Sequence, residues 1–381
     1  MKSRILTLIM AAAGVTAAAM PAGARARKDS TPLYKNASAP VEERVNDLLS
    51  RMTLEEKILQ LNQYTLGRNT VENNLREMTE AVPAESGSVI YFSDDANLRN
   101  MMQKRCVEET RLGIPMLFGH DVIHGYRTIA PIPLAQAASW NPGLVRIVSH
   151  DAGLEAYHCG IDWTFSPMVD IAHDPRWGRV MEGYGEDPYL TSVLCRAAVE
   201  GYQGDDLSAE GNIAACLKHF VGYGASEAGR DYVYTEISDQ TLWDTYLPPF
   251  HAGVEAGAAS VMSAFNNISG VPASADKYTM TDILKKRWNW DGMIVSDWDA
   301  IIQLTKQGAA KDGYEAAALA INAGIDMDMM DNLYRTHLAR LIDDGVVSME
   351  TVDECVRRVL RLKFRLGLFE HPYTEVLPSD K

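Results

Sequence analysis

From residue 40 onward the chain repeats one alternation: a short apolar run, then a longer segment with apolar residues at helical spacing. The runs Ser88–Phe92, Pro115–Gly119, Trp163–Asp170, Ala214–Phe220, Ser260–Phe265, Met293–Asp297 and Ile325–Met330 read as strands. Between them Ala96–Leu112, Pro142–Cys159, Asp187–Gln203, Asp239–Ala256, Met280–Arg287 and Tyr314–Ala323 read as helices. The lead-in Pro40–Gln63 carries Val45, Leu48, Leu49, Met52, Leu54, Ile58 and Leu61 at helical period, and Thr53-Leu-Glu-Glu56 has the form of a capping box. Residues 64–86 read as polar and irregular, and Met349–Gly367 as a closing helix. Seven β-then-α units imply a parallel sheet, because parallel strands need helical crossovers. A TIM-type (β/α)8 barrel with one irregular unit fits the length better than an open sheet, with 40–370 as the barrel domain. Residues 27–39 then read as a disordered leader, and 371–381 as a linker-like or frayed tail.

The first 26 residues stand apart from this pattern. Met1-Lys-Ser-Arg4 is positive, Ile5–Ala19 is apolar, and Pro21-Ala-Gly-Ala-Arg-Ala26 offers small-x-small cleavage sites, the form of a secretory signal peptide. The expectation is export to the periplasm or the outside. A formal net charge of −15 repels phosphates and anionic lipid heads, so neither nucleic acid nor membrane is expected as a partner. The five cysteines lack ligand spacing and read as buried small hydrophobes. No metal or organic cofactor is implied, and the sequence sets no oligomeric state.

Barrels of this kind place their chemistry at the carboxyl ends of the strands. Here those ends carry Asp121 with His124, Asp170 with Arg176 and Arg179, Lys218-His219, Asn266-Asn267, Asp297-Trp298, and Asp326 with Asp328. The run Gly292-Met-Ile-Val-Ser-Asp297-Trp298-Asp299 ends a buried strand on a carboxylate beside an indole, a pairing that suits attack on a sugar ring. Read alone, Asp297 serves equally well as a helix cap.

The wider motifs change that balance. Val41–Lys57, Arg111-Leu-Gly-Ile-Pro115 with His120-Asp-Val-Ile-His-Gly125, Ser166–Arg179 with Tyr184–Leu190, Lys218-His-Phe220 and Ile294–Trp298 occur in order over roughly 38–370. In these the chain resembles glycoside hydrolase family 3, in particular its secreted bacterial β-glucosidases. The resemblance implies a retaining exo-acting β-glycosidase that hydrolyses terminal β-D-glucosyl residues of a β-glucoside or β-linked oligosaccharide. Asp297 would be the nucleophile; Asp121, Arg179, Lys218 and His219 would hold sugar hydroxyls, and Trp298 would wall the site. Arg179 and Lys218 are expected to keep the Asp297 pKa low. Arg176 reads as a loop brace on Asp174, Asp326 and Asp328 as rim braces, His124 as either a substrate contact or packing, and Asp187-Pro188 as a helix start. Tyr126, Tyr184 and Tyr223 are candidate pocket walls.

One partner of the nucleophile is not evident. Retention needs a second carboxyl group about 5–5.5 Å away. Two-domain members of the family carry it as a Glu in a following α/β sandwich, and no such domain is expected within residues 1–381. One-domain members use a His on the loop after the Lys-His-Phe strand, and Val221–Asp231 contains none. Three readings stay open: a fragment of a longer enzyme, a one-domain enzyme recruiting Glu227, Asp231 or Glu236, or a sugar-binding barrel with weak turnover. β-Xylosidase is the alternative within the family, and a Schiff-base aldolase on Lys218 the alternative outside it.

Overall fold

The computed structural model describes residues 31–68 and 75–376. The expected signal peptide lies outside them. Among the described residues, no helix is long and apolar enough to cross a membrane.

Eight parallel strands form the frame: β1 (Asn62–Leu66), β2 (Ser88–Tyr91), β3 (Leu117–His120), β4 (Trp163–Thr164), β5 (Cys216–Phe220), β6 (Ser260–Ser263), and, after a small hairpin of β7 (Asn267–Ile268) and β8 (Val271–Pro272), β9 (Met293–Val295) and β10 (Asp328–Met329). Pairing runs β10-β1-β2-β3-β4 in one ladder and β5-β6-β9 in another. Parallel bridges Trp163↔Ala214 and Met168↔Lys218 join the ladders at one seam, and Val295↔Met327 at the other. The pairings therefore run full circle, with helices outside. All seven expected strands are present, shorter than the apolar runs that announced them.

The strand missing from the sequence reading is β1. The lead-in is two helices, Val41–Arg51 and Leu54–Gln60, the second starting at the expected capping box on Thr53. The chain then turns into a strand instead of continuing as helix to Gln63. Polarity hid it: Asn62 and Gln63 are buried, and their amide N–H groups donate to Ile58 O at 2.7 Å and Ser88 Oγ at 2.8 Å. A buried amide with a partner is tolerated where the periodicity shows only a polar break. Gly87 permits this packing, since a Cβ there would sit 1.9 Å from Gln60 O. Helix Leu333–Asp343 also went unread.

Two further expectations are corrected. The leader is ordered from residue 31: Tyr34 is buried and its hydroxyl donates to Leu112 O at 2.9 Å. The described tail is strapped to helix Ala96–Glu108 rather than frayed. Asn100 exchanges hydrogen bonds with the Thr374 backbone at 2.7 and 2.9 Å, and Arg99 donates to Pro372 O. All five cysteines are buried and free, as their scatter suggested.

The segment Asp239–Glu255 is not uniformly α-helical. One π-helical stretch, Leu242–Tyr246, precedes Leu247-Pro248-Pro249. Beyond it Phe250 meets Phe220 of β5 edge to face, centroids 5.0 Å apart, and Gly253 lies against Leu217, where a Cβ would approach 2.6 Å.

Within the core, Lys363 is fully buried, its ammonium held by Gln60 Oε1 at 2.7 Å. Burial lowers its pKa to about 7. The unfolded chain therefore binds this proton more tightly, and between about pH 7 and the ordinary lysine value folding stability from this group rises with pH. Lys363→Met is expected to raise the melting temperature at pH 6–7 by roughly 2–4 °C and progressively less toward pH 10; a pH-independent difference between variant and parent, read by calorimetry, would refute the assignment.

Candidate active site

Successive strand ends deliver side chains to one mouth of the ring. Arg68 follows β1, Phe92 follows β2, Asp121 follows β3, Arg179 lies on the loop after β4, Lys218 and His219 are in β5, and Asp297 and Trp298 follow β9. All eight line one cleft of about 260 Å³, with Ile90, Phe165, Met262 and Met329 among the apolar walls. The six site residues expected from the sequence are thus brought together.

Lys218 is 3% exposed, and its ammonium donates to Asp121 Oδ1 at 2.7 Å. Burial is the largest influence on it and favours the neutral amine, but the carboxylate of Asp121 and that of Glu182 outweigh it and leave the pKa above its ordinary value. A lysine kept charged is a poor Schiff-base nucleophile, which weighs against the aldolase alternative.

Asp297 is 8% exposed. Its Oδ1 accepts the Trp298 backbone N–H at 2.6 Å; its Oδ2 has no hydrogen-bond partner among the described residues and lies 3.4 Å from His219 Nε2. The expectation of a low pKa is corrected. Burial dominates and pushes this carboxyl up to about 7, while Lys218, the Trp298 N–H and Arg179 pull downward without overcoming it. The helix-cap reading also fails: Asp299 has φ +53°, and the next helix starts only at Gln303. Trp298 packs edge-on to Phe92 at 6.5 Å, with the Arg68 guanidinium 4.8 Å over each ring.

Arg179 spends its Nε and Nη2 on a bidentate pair with Glu182, at 2.7 and 3.0 Å, and lies 5.7 Å over the Tyr223 ring. Its guanidinium stays charged, with donors to spare. Of the three candidate tyrosines, Tyr223 is the one packed against this group and against His219, centroids 5.2 Å apart. Tyr126 backs His120, and Tyr184 is buried. The braces behave as expected. Arg176 clamps Asp174, Asp326 binds Lys285 and the Ile294 N–H, Asp328 binds the Asp331 and Tyr334 N–H groups, and Asp187 caps the helix that opens with Pro188. His124 contacts Ala130 O at 2.9 Å and so holds its own loop together.

The candidate acids are not brought in. Glu227 and Glu236 are exposed, and Asp231 is occupied by Tyr223, Trp177 Nε1 at 3.2 Å and the Tyr232 N–H. Among the described residues, the carboxylates lining the cleft are Asp121 and Asp297. Sequence reasoning missed Arg68 and Phe92. Arg68 follows the strand that polarity concealed, and Phe92 was visible only as the end of an apolar run. Glu182, three residues after Arg179, offered an ion-pair spacing that went unused.

Since the Lys218 charge lowers the Asp297 pKa, Lys218→Met is expected to move the Asp297 titration upward by on the order of one unit. Carboxyl carbon chemical shifts followed against pH check this, and an unmoved or lowered midpoint would contradict the electrostatic account.

Comparison with known proteins agrees with the geometry. A family profile described as the glycosyl hydrolase family 3 N terminal domain matches residues 53–362. A periplasmic β-glucosidase of Salmonella typhimurium is 39% identical over 336 residues, 88% of this chain and 44% of that protein. A putative β-xylosidase of Formosa agariphila is 35% identical over 366 residues, 90% of this chain and 48% of that protein. Among solved structures, a mutant β-glucosidase from Listeria innocua in complex with laminaribiose superposes with a TM-score of 0.83 at 42% identity, covering 89% of this chain and 48% of that one. The chain spans about half the length of the relatives it matches. Ordered motifs, strand-end cleft and relatives together lead to one statement: the chain belongs to glycoside hydrolase family 3.

Proposed function

We propose that this (β/α)8 domain carries the nucleophile of a retaining exo-acting β-glycosidase, with terminal non-reducing β-D-glucosyl residues as substrate. One observation carries the reading: a buried carboxylate, Asp297, with one oxygen free of hydrogen bonds among the described residues, stands beside Trp298 in a cleft that also holds Asp121, Arg179, Lys218 and His219. A sugar ring sits against Trp298 and gives its hydroxyls to that charged set. Asp297 Oδ2 then bonds to the anomeric carbon as the bond to the aglycone oxygen breaks, and water later hydrolyses the ester. The leaving oxygen needs a proton unless it departs as a stable phenolate. No second carboxyl in the described cleft is free to give one, since Asp121 is paired with Lys218. We place the proton donor outside this cleft, in keeping with relatives about twice as long. The periplasmic Salmonella relative supports export, and the laminaribiose complex of the Listeria relative supports a β-linked disaccharide as substrate.

A xyloside reading has its own support in the Formosa relative. The ratio of kcat/KM for 4-nitrophenyl β-glucoside over the β-xyloside separates the two, and a ratio above one is expected. With the nitrophenyl glucoside the chain alone is expected to release phenolate, and Asp297→Asn to lower that release by roughly 10³-fold or more. Cellobiose, which needs the acid, is expected to turn over far more slowly. Equal turnover of both substrates would place an acid within this chain after all, and an active Asp297→Asn variant would remove Asp297 from the role of nucleophile.

A further inference from the structure

Behind His219 lies a second carboxylate that the roles above leave unused. Asp170, on the segment after β4, has a side chain with no exposure, and that of His219 has 1%. Asp170 Oδ2 accepts the His219 backbone N–H at 3.0 Å and stands 2.7 Å from His219 Nδ1. On the other side of the same ring, Nε2 lies 3.4 Å from Asp297 Oδ2, the oxygen that has no hydrogen-bond partner among the described residues. The imidazole is thus a rigid bridge between two buried carboxyl groups. Asp170 Oδ1 is likewise buried without a partner among the described residues.

We propose that Asp170 is a positioning residue for the nucleophile: by keeping a proton between its Oδ2 and His219 Nδ1, it makes the ring present an N–H from Nε2 to Asp297 Oδ2. The inference rests on the reading of Asp297 as nucleophile. When the Asp170–His219 pair holds two protons, one lies between Oδ2 and Nδ1 and the other is on Nε2, facing Asp297. When the pair holds one, the Oδ2 carboxylate draws it to Nδ1, and the bare Nε2 lone pair then faces the Asp297 carboxylate. Two acceptors facing each other in a dry site, one of them a carboxylate, repel, so the second state misplaces and destabilises the ionised nucleophile.

The surroundings fit a pair that retains its extra proton near neutrality. Burial pushes Asp170 up to about 8, against the His219 N–H, Arg179 and Lys218. An unpartnered buried Oδ1 is costly on a full carboxylate and much less so on a neutral acid. Burial, with Arg179 and Lys218, also disfavours a free imidazolium, which directs the extra proton toward Asp170. The charged groups facing this chain are Lys218 in β5, Arg179 with Glu182 on the loop after β4, Asp121 after β3 and Asp297 after β9; Tyr223 closes one face of the ring. The three groups titrate as one coupled unit.

The test is the variant Asp170→Asn on 4-nitrophenyl β-glucoside, whose leaving group needs no acid. The new amide oxygen replaces Oδ2, accepts both the backbone N–H and Nδ1–H, and leaves Nε2 bare at every pH. The parent is expected to lose kcat/KM above about pH 8. The variant is expected to be lower by about tenfold or more at pH 6–7, the effect of one lost hydrogen bond to a charged group, and to lack that alkaline limb. A uniform drop with the limb retained would reduce Asp170 to a structural support, and an unchanged rate would remove it from the site; either overturns the proposal. Nitrogen-15 histidine spectra of the parent decide the matter without turnover, with His219 assigned by its absence in His219→Gln. A protonated Nε2 that loses its proton with the midpoint of the alkaline limb supports the relay. A ring protonated at Nδ1 alone across pH 6–9 overturns it, even if Asp170→Asn fails to fold. A parent inactive on every glycoside would overturn the function proposed above, while the spectra would still decide the relay.

Discussion

A charge taken below the surface is costly unless another answers it, and the cleft is built around that cost. Lys218 is the centre of it. A buried ammonium costs several kcal/mol unless paired, and the pairing with Asp121 is a chord across the mouth of the ring, from β5 to the end of β3 with β4 between. That chord fixes where both side chains stand before any ligand arrives. It also determines what the neighbours experience, since Lys218 acts downward on the pKa values of both Asp297 and Asp170.

Burial and charge compete at each of these groups, and the outcome differs by residue. At Lys218 the nearby carboxylates win and the charge stays. At Asp297 burial wins, and the carboxyl titrates near neutrality although two cations are close. The difference follows from contact. Lys218 has a direct ion pair with Asp121, whereas Arg179 reaches Asp297 only through space while its fork is held by Glu182. A cation engaged elsewhere lowers a neighbour's pKa less than one in hydrogen-bond contact with it.

This also explains what could be read from the chain in advance. The strand ends at Asp121, Lys218-His219 and Asp297-Trp298 were legible because each follows an apolar run, and the order of motifs brought the same residues to one mouth. Strand β1 was not legible, because Asn62 and Gln63 find acceptors for their amide N–H groups inside the fold and leave no apolar trace, and with the strand went Arg68 at its end. The direction of the Asp297 shift was out of reach for another reason. Proximity of Arg179 and Lys218 is implied by the family resemblance, but the depth of burial that outweighs them is a property of packing alone. The strap on the tail had the same cause: backbone carbonyls at Pro372 and Thr374 carry no sequence signal until Arg99 and Asn100 are seen beneath them.

The π-helical stretch at Leu242–Tyr246 holds one residue more than an ordinary helical turn would. It sets the rotation of everything after it, and the face so presented puts Phe250 and Gly253 against Phe220 and Leu217, the residues on either side of Lys218-His219. Wound as an ordinary helix, the same number of residues would turn that face by about 100°, the angle per residue of a 3.6-residue turn. A variant one residue shorter can therefore close there as an ordinary α-helix and still present Phe250 and Gly253 to β5.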